Sequence, residues 1–174
     1  LVGIIDILNQ TNSIYSVGDK IRSTPLIIEF SNNEFLILVG SKDDNLYAFS
    51  TSITLNGAQH FIYETDGDVS SPSVLEHSNY GTVIVFGSDD GYLYMIDKYG
   101  NDIPGWPKLL QAQIEGSPII SDLNGDGLSD IVIAQSEGKL FAFNENGNLL
   151  QDFPIQIEFP YTSTSTIIDL DNDG

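Results

Sequence analysis

The sequence predicts an all-β protein, a β-propeller of four-stranded antiparallel blades of about 47 residues, and three observations predict it. A Ser-Pro segment recurs as Ser23-Thr24-Pro25-Leu26-Ile27-Ile28-Glu29, Ser71-Pro72-Ser73-Val74-Leu75-Glu76, Ser117-Pro118-Ile119-Ile120-Ser121-Asp122 and Thr164-Ser165-Thr166-Ile167-Ile168-Asp169. Pro25, Pro72, Pro118 and Ser165 are 47, 46 and 47 residues apart. A second column, Leu46-Tyr47-Ala48-Phe49, Leu93-Tyr94-Met95-Ile96 and Leu140-Phe141-Ala142-Phe143, recurs at 47 residues, as do Gly100 with Gly147 and Trp106-Pro107 with Phe153-Pro154. The third observation is the run Asp122 to Asp130, which places Asp, Asn, Asp and Asp at its first, third, fifth and ninth positions.

Taken in order, residues 1–22 read as the outer part of a blade. Leu1 to Leu8 is apolar but carries Asp6 and lacks a basic leader, so it is expected as strand and not signal peptide. Residues 23–70, 71–116 and 117–163 read as complete units. Each has one strand after the Ser-Pro, one such as Thr82-Val83-Ile84-Val85-Phe86, one at Leu-Tyr and one near the aromatic-Pro pair. Residues 164–174 read as the inner part of a further unit. The expectation is one domain, 1–174, holding about three and a half blades of an incomplete ring. An open ring exposes strand edges, so the remaining blades are expected from further sequence or from another chain.

The Asp122 to Asp130 run reads as a calcium loop. Hard divalent cations take oxygen ligands, and alternate side chains on a tight turn converge on one ion while Gly125 and Gly127 let the backbone bend. A helical calcium loop would need a carboxylate at position twelve and helical flanks, but position twelve is Ile133 and the flanks, Pro118-Ile119-Ile120 and Ile131-Val132-Ile133-Ala134, are short and β-branched. The expected ligands are Asp122, Asn124, Asp126, the Leu128 carbonyl and Asp130, with affinity in roughly the 10⁻⁴ to 10⁻³ M range of extracellular sites. The competing reading is a metal-free Asx-rich turn. A truncated copy follows at Asp169, Asp171, Asp173 and Gly174. In the first two units Glu29 is followed by Ser31 and Asn33, and Glu76 by Ser78 and Tyr80, so those units are expected to close with ordinary turns.

On these motifs the chain resembles FG-GAP/VCBS-type bacterial propeller repeats. The resemblance implies a calcium loop joining the first and second strands of a blade, on the face opposite the usual ligand surface, which makes Asp122, Asn124, Asp126 and Asp130 structural. The stretches Gly40-Ser41-Lys42-Asp43-Asp44-Asn45-Leu46-Tyr47 and Gly87-Ser88-Asp89-Asp90-Gly91-Tyr92-Leu93-Tyr94 also resemble quinoprotein-like propeller repeats.

Composition narrows the function. With 25 acidic against 6 basic residues and a net charge near −19, the surface repels nucleic acid and anionic membranes. No apolar run reaches the length of a membrane span. There are 0 cysteines, hence no disulfide framework. Weak calcium sites fill where calcium is abundant, so an extracellular, cell-surface or periplasmic location is expected.

Catalytic residues are sparse: the histidines are His60 and His77, and no strained nucleophile turn is present. His77 reads as a solvent-facing turn histidine. Trp106 and Phe153, repeated in register, read as packing between sheets rather than a carbohydrate platform. The expectation is a non-enzymatic, calcium-stabilised module for adhesion, recognition or scaffolding toward an unidentified protein or carbohydrate ligand. The alternatives are the propeller portion of a secreted polysaccharide lyase or peptidase, or a quinoprotein-like assembly scaffold.

Overall fold

The computed structural model describes residues 2–6, 11–31, 34–51, 59–157, 164 and 166–167, and all of its regular elements there are strands. β1 (Val2–Asp6) and β2 (Thr11–Tyr15) pair as a two-stranded antiparallel sheet. Three four-stranded antiparallel sheets follow. The first holds β3 (Leu26–Ser31), β4 (Glu34–Gly40), β5 (Asn45–Ser50) and β6 (Gln59–Glu64). The second holds β7 (Ser73–His77), β8 (Gly81–Gly87), β9 (Tyr92–Asp97) and β10 (Lys108–Leu109). The third holds β11 (Ile119–Ser121), β12 (Asp130–Gln135), β13 (Lys139–Asn144) and β14 (Ile155–Gln156). In each, strands pair in chain order, the meander of a propeller blade.

The run Thr82-Val83-Ile84-Val85-Phe86 is apolar at every second residue on both faces because the second sheet is covered on both sides. Val83 and Val85 face one cluster with Trp106, Ile114, Ile131, Ile133 and Phe143. Ile84 and Phe86 face another with Ile28, Leu36, Leu38, Leu46 and Ala48 of the first sheet. A third cluster sets Val39, Tyr47 and Phe49 against Tyr15, Val17 and Ile21, so the N-terminal segment covers the far side of the first sheet. Each such fully buried aliphatic side chain contributes about 1.5–3 kcal/mol relative to exposure.

The repeated sequence columns have physical jobs. The Thr24 N–H donates to Ser71 Oγ at 2.8 Å and the Ser117 N–H to Thr164 Oγ1 at 3.0 Å, each spanning 47 residues from one unit to the next. Ser23 Oγ brackets the end of β4, accepting from Gly40 N at 2.8 Å and donating to its carbonyl at 2.9 Å. Ser70 Oγ does the same for Gly87 at 3.2 and 3.0 Å. Gly40 and Gly87 are required by close approach: an added Cβ would lie 2.4 Å from the Ser70 carbonyl oxygen in one case and 2.1 Å from Ile114 Cγ2 in the other. Trp106 packs edge-on to Phe143 with ring centroids 5.9 Å apart and donates from Nε1 to the Glu145 carbonyl at 3.3 Å, so it is an inter-sheet anchor.

Candidate functional site

The acidic loop joins β11 to β12, the first and second strands of the third sheet. Its side chains turn onto its own backbone. Asp122 accepts from Gly125 N through Oδ1 and from Gly127 N through Oδ2, both at 2.9 Å. Asn124 Oδ1 accepts from Asp126 N at 2.9 Å, and Asp126 Oδ1 from Leu128 N at 2.8 Å. Gly125 and Gly127 have φ of 73° and 84°, the left-handed region open to glycine.

Asp130 differs from the others. It begins β12 at 0% exposure, its Oδ2 accepts from Leu123 N at 2.9 Å, and its Oδ1 is buried without a hydrogen-bond partner. Burial pushes its pKa above the usual carboxylate range; the Leu123 N–H opposes this, while the Asp126 and Asp122 charges add to it. The four predicted side chains thus share one loop, yet among the described residues no group of three or more His, Cys, Asp or Glu is drawn together as a metal site. The donor chemistry fits a hard cation nonetheless. Each carboxylate oxygen that accepts a backbone N–H keeps a second lone pair, and Asp130 Oδ1 keeps both. Asp169, Asp171, Asp173 and Gly174 lie outside the described residues.

In the second unit the equivalent turn is ordinary in shape, Ser78 to Tyr80 between β7 and β8, but the next unit braces it. Glu145, from the turn after β13, accepts from Ser78 N at 2.9 Å through Oε2 and from Ser78 Oγ through Oε1. His77 is not solvent-facing as the sequence led us to expect: it is 3% exposed, because the Glu145 turn and Tyr80 cover it. Its Nδ1 accepts from Asn79 N at 3.1 Å and sits 3.7 Å from Glu145 Oε2. Burial raises the Glu145 pKa, but the two Ser78 hydrogen bonds and then His77 outweigh it and hold the group below its ordinary 4.5.

The same register serves the preceding junction. Lys98, 47 residues before Glu145, donates to the Phe30 carbonyl at 2.9 Å with its Nζ 5.1 Å from the Phe30 ring centre. Phe30 in turn stands 47 residues before His77. Sequence reasoning missed this latch, although the 47-residue offset between Lys98 and Glu145 was there to find it.

Residues 122–174, which open on this loop, match the model of the FG-GAP-like repeat. That segment is similar to an FG-GAP-like repeat. The sheets around it have the strand order of propeller blades, and solved structures agree on the fold. It is similar to the computationally designed Ika4 protein, at 14% identity and TM-score 0.58 over 90% of this chain and 85% of that one. It is similar to BamB from Moraxella catarrhalis, at 14% identity and TM-score 0.56 over 81% of this chain and 40% of that one. It is also similar to BBS1N, solved in complex with ARL6DN, at 17% identity and TM-score 0.57 over 87% of this chain and 44% of that one. The chain therefore spans less than half the length of the BamB and BBS1N chains. No curated protein matches it. The segment that matches the repeat carries the intact acidic loop, whereas the equivalent turn of the second unit is braced by Glu145 from the third sheet.

Proposed function

We propose that the chain is a calcium-braced, non-enzymatic propeller module of an exported bacterial protein, serving adhesion, recognition or scaffolding through the loops at one end of its sheets. Asp122, Asn124, Asp126 and Asp130, with the Leu128 carbonyl, are the residues that would hold the ion. The observation that carries the reading is Asp130 Oδ1, buried and unpartnered in a loop that also holds the Asp122 and Asp126 charges. A carboxylate oxygen in that position costs stability until a cation satisfies it. Bound calcium would supply that positive charge and fix the β11–β12 connection, leaving recognition to exposed connections elsewhere. The net charge near −19 supports a partner that is neutral or cationic where it meets the surface.

The test is calorimetric calcium titration with thermal melting, on this chain and on Asp126→Ala. Heat of binding and a raised melting temperature in the unmutated chain alone support the brace. No binding to either sinks it and returns the loop to an Asx-rich turn.

A further inference from the structure

At the end of the sheets opposite the acidic loop, the segments leading into β3, β7 and β11 meet the β4–β5 and β8–β9 turns around a cleft of about 390 Å³. Antiparallel order fixes this placement: the acidic loop follows the first strand of its sheet, and the cleft gathers residues that precede first strands. The volume falls within the range of small-molecule sites, roughly 300–1,000 Å³.

The hydroxyls that line it are spoken for. Ser23 and Ser70 bracket Gly40 and Gly87, and Ser71 Oγ takes the Thr24 N–H, so they hold the walls. Lys42 is paired with Asp68. That leaves four lining side chains with no hydrogen bond or ion pair among the described residues: Arg22, Asp89, Gln113 and Glu115. Arg22 and Glu115 are exposed, and Asp89 is half-buried. Arg22, the single arginine of the chain, stands where the N-terminal segment enters β3, while Asp89 and Glu115 come from the second sheet and the segment entering the third. Outside the Lys42–Asp68 pair, the charges lining the cleft are therefore one guanidinium from the segment entering β3 and two carboxylates, from the β8–β9 turn and the segment entering β11, with Glu115 and Lys42 both acting on Asp89. The buried Val69 and Ile114 complete the lining.

We infer that this cleft binds a small zwitterion, with its carboxylate on Arg22 and its ammonium between Asp89 and Glu115. A guanidinium takes a carboxylate through paired N–H donors, and an ammonium relieves two like charges held near each other. Neutral polyols carry no charge to match Arg22, Asp89 or Glu115, so they gain less here. The inference rests on the reading of this end of the sheets as the recognition surface, and it does not depend on the metal.

The experiment is an amide NMR titration of the chain with 6-aminohexanoate, and with hexanoate, pentylamine and glucose for comparison. The expected result is shifts at residues 22–23, 68–71, 89 and 113–115 with 6-aminohexanoate, and binding about tenfold weaker for each singly charged probe, the loss of one charge-assisted contact. Arg22→Gln should erase the advantage over pentylamine, and Glu115→Gln should reduce the advantage over hexanoate. Shifts elsewhere, no shifts, glucose binding as well, or pentylamine matching 6-aminohexanoate would each overturn it. Asp126→Ala, titrated in parallel, should bind the zwitterion unchanged, so failure of the calcium brace and failure of this cleft are read separately.

Discussion

The Tyr94 hydroxyl donates to Asp90 Oδ2 at 2.7 Å, while Oδ1 of the same carboxylate accepts from Tyr92 N at 2.9 Å. One acid thereby shapes the β8–β9 turn and satisfies a buried phenol. The first sheet repeats the pair, with Tyr47 donating to Asp43 Oδ2 at 2.8 Å. In the third sheet the corresponding residues are Glu137 and Phe141, so acid and hydroxyl change together, and Gln135 Oε1 takes the Glu137 N–H where Ser88 Oγ takes that of Asp90.

Tyr94→Phe should lower stability by about 1.5–3 kcal/mol at neutral pH, the worth of a hydrogen bond to a charged group. Burial, then the Asp90 hydrogen bond and charge, hold the Tyr94 hydroxyl well above its ordinary 10.0. Tyr63 is raised by burial and by its 2.6 Å bond to Asp102. Both pKa values are higher folded than unfolded, so their contribution is complete below the unfolded value and falls as pH rises above it. Urea unfolding at neutral pH and at about pH 11 should show an alkaline loss in the unmutated chain and a smaller loss in Tyr94→Phe.

Glu145→Gln and Ser78→Ala should be strongly coupled. Each should cost about 1–3 kcal/mol, and the double variant should cost well under their sum because both remove one contact. Since the Glu145 pKa is depressed, its contribution is present above the unfolded value of 4.5 and is lost as pH falls through the folded one. Denaturant titrations should find Glu145→Gln less acid-sensitive than the unmutated chain; additive costs would mean that the latch carries no load.

Gly87→Ala should destabilise by about 1–3 kcal/mol, because its methyl would press into Ile114 at a packed junction between sheets. Gly81→Ala is the control: it has positive φ of 68° but open space around it, so its cost is backbone strain alone. Thermal melts should rank the Gly87 variant below the Gly81 variant.

Asp130→Asn should abolish the calcium response while leaving the metal-free chain no less stable. The substitution keeps an acceptor for the Leu123 N–H and removes a buried charge that burial and its acidic neighbours disfavour. A lower melting temperature without calcium would mean that the charge itself supports the fold.

Much of the architecture was legible in the chain. The 47-residue columns announce repeated sheets because each unit must place a strand start, a tight turn and a buried Leu-Tyr pair at the same height as its neighbours. The Asp122 to Asp130 spacing was equally legible, since ligand oxygens and turn glycines are local properties. The burial of His77 was not, because what covers it, Glu145, is distant in sequence and acts through the packing of one sheet on the next.

The sequence by itself determined the strand periodicity, the repeat length, the acidic loop and the negative surface, all set by residue types at short range. Only the tertiary structure decided that Asp130 keeps an unpartnered oxygen, that a neighbouring unit latches the second turn, and that Arg22 faces a cleft shared with Asp89 and Glu115. Those outcomes depend on which segments the packed sheets bring together. That juxtaposition is a property of the packed sheets, and no single segment carries it.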